Sequence, residues 1–127
     1  MKKILCSTGA LIGMPNNRDF SLIKKCVPNI NSDGFEFMMY STWYDKVPNL
    51  LKELKKCETE FPVMHCEKHI GEDLGKNADG NFYTAKEKFK VNCEIANEIG
   101  VKRMVMHLWD GVYSDTTIEN NIKGYGE

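Results

Sequence analysis

The sequence predicts an α/β fold in which four βα units build one parallel sheet. Three observations lead there. Short apolar runs begin at Ile4, Phe35, Val63 and Met104, roughly 30 to 40 residues apart, the length of one βαβ step. Runs this short suit strands buried on both faces of a parallel sheet. Between them lie longer stretches with apolar residues at helical spacing. Such alternation implies parallel strands joined by right-handed crossovers.

The elements follow in order. The first strand spans residues 4–8 and Gly9 closes it. Met1-Lys2-Lys3 before it is basic, as a signal peptide begins, but Ser7, Thr8 and Gly9 interrupt the apolar stretch at once. A helix over 19–27 carries Phe20, Ile23 and Val27 on one face, and Pro28 stops it. Asp33-Gly34 introduces the second strand, 35–39. The second helix sets Val47, Leu50, Leu51 and Leu54 on a stripe that Cys57 continues, with Asp45 as N-cap and Pro48 in the first turn. Pro62 precedes the third strand, 63–66. Residues 70–81 read as a loop containing Gly71, Gly75 and Gly80. Thr84 and Glu87 make a capping-box pair for the third helix. Ala85, Phe89, Cys93, Ala96 and Ile99 form its stripe, and Gly100 takes the C-cap. The fourth strand is 104–108, and a fourth helix starts within 116–123. No linker or low-complexity segment divides the chain, so residues 1–127 are expected to form a single α/β domain.

Composition narrows the function. The chain has 127 residues, 42% hydrophobic and 28% charged, which is globular and not disordered. Its net charge of −1 gives no basic excess to neutralise phosphates, so a nucleic-acid partner is not expected. No apolar run is long enough for a membrane span, so no membrane partner is expected either. The five cysteines are scattered, odd in number and free of any Cys-x-x-Cys. They read as free thiols in a reducing cytoplasm, with Cys26, Cys57 and Cys93 on apolar helix faces.

Chemistry in parallel α/β folds collects at the C-terminal ends of the strands. Here those ends carry Ser7-Thr8-Gly9, then Glu36 with Met38, then His65 with Glu67 and His69, then His107 with Trp109 and Asp110. Glu36 is a carboxylate in an otherwise apolar strand, costly to bury without a partner. Glu36, His65 and His107 suit a polar mouth for a sugar hydroxyl, a phosphate or a divalent metal such as Zn²⁺ or Mn²⁺. Each histidine is also consistent with a hydrogen-bonded strand-end residue, and Glu67 and His69 with solvated loop residues. Tyr40, Trp43, Tyr44, Trp109 and Tyr113 follow strands, as sugar-stacking aromatics or as a lid over apolar surface. His65-Cys66-Glu67-Lys68-His69 looks superficially like a zinc helix, but its glutamate is misplaced and it follows a strand. There is no Rossmann or P-loop glycine pattern. Cys66 and His65 are strand neighbours pointing to opposite faces, which disfavours a Cys–His pair.

Asp33-Gly34-Phe35-Glu36-Phe37 resembles the second strand of the sugar phosphate isomerase/epimerase family, a xylose isomerase-like TIM (β/α)8 barrel with endonuclease IV relatives. The segment from Ala96-Asn97-Glu98-Ile99-Gly100 to Val105-Met106-His107 resembles its third helix and fourth strand, and Val63-Met64-His65 its third-strand histidine. The similarity covers the first four of eight βα units, an N-terminal half. It implies that His65 and His107 bind metal or line the substrate pocket, with Glu36 and Trp109 at the same mouth. In complete relatives, one divalent metal (Mn, Zn, Co or Mg) is held by residues of strands five to eight, whose two glutamates exchange the proton beside a sugar carbonyl. The implied activity is sugar or sugar phosphate isomerisation or epimerisation. The alternatives are an endonuclease IV-like hydrolase, disfavoured by the near-zero charge, and a carbohydrate-binding or assembly half-domain without turnover.

Half a barrel exposes its inner sheet face and two strand edges. Leaving about six large side chains uncovered forfeits roughly the whole stability of a domain, about 5–15 kcal/mol. Three resolutions are expected: a homodimer that completes the barrel, helices on both faces as in flavodoxin-like sheets, or a chain that is part of a longer protein.

Overall fold

The computed structural model describes residues 2–76, 81–107 and 118–126. Strands β1 (Cys6–Ser7), β2 (Phe35–Met38), β3 (Val63–His65) and β4 (Arg103–Val105) form one parallel sheet in the order β1-β2-β3-β4. Helix α1 (Ile23–Cys26) lies between β1 and β2, and α2 (Val47–Leu54) between β2 and β3. Helices α3 (His69–Lys76) and α4 (Asn81–Glu98) connect β3 to β4, and α5 (Ile118–Tyr125) follows. Four βα units on a parallel sheet are what the apolar runs predict. Among the described residues, no helix is long and apolar enough to cross a membrane.

Local chemistry corrects several boundaries. The strands are shorter than their apolar runs because the chain turns as soon as it leaves the ladder. Ser7 accepts the Gly9 N–H at 3.2 Å and caps a 3₁₀ turn, Thr8–Ala10, which ends β1. Gly9 lets Met38 pack close over this turn: a Cβ there would lie 2.6 Å from Met38 Sδ, and the methionine side chain would have to shift. Pro28 does not end the first helical segment. It sits inside a 3₁₀ turn, Val27–Asn29, where its missing N–H is harmless. Asp45 lies within the 3₁₀ segment Ser41–Lys46 and does not cap α2, although Pro48 occupies the first turn as expected. Helix α4 begins at Asn81, so Thr84 and Glu87 sit inside it and do not open it. Gly100 adopts φ 76° just past α4, in keeping with a C-cap glycine.

The largest difference is α3, which occupies a stretch expected to be loop. Its glycines conceal Ile70 and Leu74, four residues apart and both buried. On α4, Cys93 is exposed, and Asn92, Ile95 and Ala96 are the buried positions beyond Ala85.

Burial divides the sheet by parity. Phe35, Phe37 and Met64 point to one face and join Ile23, Val27, Leu50, Leu54, Ile95 and Ala96 in the main core. Cys66, Ile70, Leu74 and Ala85 make a second cluster against Met104 and Met106. Helices α1, α2 and α4 therefore all serve the same sheet face. The alternate residues Glu36, Met38, Val63 and His65 are only half-buried, and Arg103 and Val105 are exposed. The strands are thus covered on one face and not on both, and among the described residues no helix serves the other.

This asymmetry predicts unequal costs for two truncations. Met64→Ala, at a site with 0% exposure, should lower unfolding free energy by about 2–5 kcal/mol in urea titrations. Val105→Ala, at 40% exposure on the opposite face, should change it by less than about 0.5 kcal/mol. Equal losses would contradict one-sided burial.

Candidate functional site

Register builds the site. Met38 pairs with His65 and His65 with Val105, so the strand ends are level. The ladder continues past β3, where Cys66 N–H donates to Val105 O at 2.9 Å. His107 lies two residues beyond Val105 and keeps its parity, so it projects from the same face as His65. The two Nε2 atoms are 2.9 Å apart, with ring centroids 4.6 Å apart and planes tilted by 54°. His65 Nδ1 is 3.4 Å from Cys66 O. A proton on that nitrogen leaves Nε2 as acceptor for a His107 Nε2–H. The separation also suits two ligands of one ion. At metal–nitrogen distances of about 2.0–2.1 Å, neighbouring donors lie roughly 2.9–3.4 Å apart. Among the described residues, no group of three or more His, Cys, Asp and Glu side chains is placed to hold a metal.

Both histidines line a cavity of about 260 Å³ at the C-terminal ends of the strands. Met38 and Tyr40 from β2 and its following loop, Glu67 and His69 after β3, and Arg18 from the loop after β1 line it too.

Glu67 is only 2% exposed. Its Oε1 accepts from His69 N–H at 3.2 Å and from His69 Nδ1 at 2.5 Å, while Oε2 has no partner among the described residues. An unsatisfied buried carboxylate oxygen is costly, on the order of 1–3 kcal/mol or more. The segment is fixed from below by α4, where buried Asn92 accepts the Glu67 N–H at 3.3 Å. The Asn92 amide donates to Tyr44 OH at 2.9 Å and Lys88 O at 2.8 Å. Burial holds the Tyr44 phenol protonated well above its ordinary range, against the Asn92 hydrogen bond, and the Glu67 charge adds to the rise. Burial likewise pushes the Cys66 thiol up to about 11, so it is a poor nucleophile near neutrality.

The expected site residues are thus only partly assembled. His65 and His107 meet. Glu36 shares their sheet face but is level with Ser7 and Val63, one pleat repeat of about 6.6 Å before His65, and Met38 takes the row beside the histidine. It does not line the cavity. Trp109, Asp110 and Tyr113 lie outside the described residues. Trp43 is a core residue at 2% exposure, stacked near Phe37 and edge-on to Tyr40. Sequence reasoning missed Arg18, whose place depends on a loop tied to Trp43, and it underrated Glu67. The period-two run His65, Glu67, His69 was the available signal. No family model, no curated protein and no solved structure matches the chain.

Asn92 has no apolar substitute if this network holds the site floor. Asn92→Leu should cost about 2–4 kcal/mol by leaving the buried Glu67 N–H and the Tyr44 hydroxyl without their Asn92 partner. Chemical denaturation checks it, and a loss under about 0.5 kcal/mol would contradict the network.

Proposed function

We propose that this domain works as a sugar or sugar phosphate isomerase/epimerase-like module, binding its substrate in the cavity at the strand ends. The observation that carries the reading is the 2.9 Å approach of His65 Nε2 and His107 Nε2, from adjacent parallel strands, over that cavity. Parallel sheets bring reactive groups together at this end by register alone. The imidazole pair is suited to hold a substrate hydroxyl between a donor and an acceptor nitrogen, or to donate from one nitrogen to a substrate carbonyl. Glu67 fixes the His69 ring by accepting a hydrogen bond from its Nδ1–H, which leaves Nε2 as the basic nitrogen for a proton beside the carbonyl. The same two Nε2 atoms fit adjacent positions on a divalent ion such as Mn²⁺, Zn²⁺, Co²⁺ or Mg²⁺. Such an ion, when bound, would stabilise the enediolate charge. The pair supplies two ligands, so further positions would fall to water, substrate or another segment.

Two assays test the reading together. Thermal stability is measured with Mn²⁺, Zn²⁺, Co²⁺ and simple ketoses or their phosphates. Solvent deuterium is then followed into the ketose. Stabilisation and exchange are expected, with His65→Ala and His107→Ala each lowering exchange by roughly 10²-fold or more. Stabilisation without exchange would instead assign a carbohydrate-binding domain without turnover. No stabilisation by any of these ligands would overturn the site.

A further inference from the structure

Two of the buried polar atoms without a partner among the described residues, Arg18 Nε and Glu67 Oε2, belong to residues that line one cavity. They come from separate loops and have opposite needs. A guanidinium has donors only and an ionised carboxylate acceptors only. One ligand satisfies both if it offers an anionic oxygen and a hydroxyl.

We propose that the cavity selects a small polyol bearing a phosphate or carboxylate, with the anion on the Arg18 guanidinium and a hydroxyl donating to Glu67 Oε2. The polyol half rests on the isomerase-like reading, and the anion half stands on Arg18 itself. Arg18 has no ion pair among the described residues. Its guanidinium carbon lies 5.0 Å from the centre of the Tyr40 ring, and Tyr40 is held in turn by its hydroxyl donating to Ile12 O at 2.7 Å. Stacking of this kind pre-orients a planar fork for a bidentate anion.

The backbone beneath is committed to the same end. Asn17 and Arg18 are both left-handed, with φ 55° and 52°, a conformation non-glycine residues rarely adopt. Surrounding bonds hold them there. Arg18 N–H donates to Gly13 O at 2.9 Å, Asn17 N–H to Met14 O at 3.0 Å, and the Trp43 indole N–H to Arg18 O at 2.7 Å. Strain that neighbours over-determine is characteristic of residues placed for function.

Calorimetric titration of the full chain with ribose 5-phosphate, gluconate and ribose tests this. At least one of the two anionic ligands should bind tenfold or more tightly than ribose, and the stronger of them identifies the preferred anion. Arg18→Met should bring that ligand to within twofold of ribose, while Arg18→Lys keeps part of the preference. Glu67→Gln should weaken all three. Circular dichroism of each variant establishes that it is folded. Ribose binding as tightly as both anions, a preference that survives Arg18→Met, an unchanged affinity in Glu67→Gln, or no binding by any of the three overturns the proposal. An Arg18-dependent preference that persists in a His65→Ala, His107→Ala double variant, with no deuterium exchange in the parent chain, would support the anion site and remove the isomerase reading.

Discussion

The register of β3 between β2 and β4 is the constraint on which the rest depends. It places Met64 in the core and His65 on the opposite face. A slip of one residue would exchange those two side chains, burying an imidazole and exposing a methionine. Because the core requires Met64, the register is fixed by packing, and the position of His65 follows without any interaction of its own. His107 is delivered in the same way, two residues beyond Val105. Site and core are therefore consequences of one hydrogen-bonding pattern.

The same parity explains why the sheet is uneven. The helix-facing side is filled by Phe35, Phe37 and Met64 beneath α1, α2 and α4. The other side presents Glu36, Val63, Arg103 and Val105, polar and apolar groups mixed. Such a face is unlike the continuous apolar surface of a strand buried on both sides. The cavity forms at one end of this face, where the strands stop and loops from β1, β2 and β3 rise around it.

How much of this was legible in the sequence depended on how local each determinant was. The four strands, α2 and the Gly100 cap could be read because a run of apolar residues or a single glycine decides them. The meeting of His65 and His107 followed from parallel alternation and strand-end counting. Helix α3 was hidden because Gly71 and Gly75 signal a loop more loudly than Ile70 and Leu74 signal a face. Cys93 was misplaced by one helical position because Asn92, a polar residue, holds the buried slot through its hydrogen bonds. Glu36 was put in the mouth because its strand end was judged one pleat too early. Arg18 and the buried Glu67 rest on partners 25 residues away, Trp43 and Asn92 respectively, a separation at which no spacing rule operates. Tertiary ties of this kind appear only once the chain is folded.

The central claim is that register alone brings two histidine rings into contact at adjacent strand ends. Long-range proton–nitrogen correlation spectra of the imidazole rings test it most directly. Nε2 of His65 and Nε2 of His107 should show opposite protonation, one bearing hydrogen and one accepting it, and His107→Ala should shift the His65 ring nitrogens. Two rings with the same solvent-like tautomer mixture, and a His65 spectrum unchanged by His107→Ala, would contradict the account.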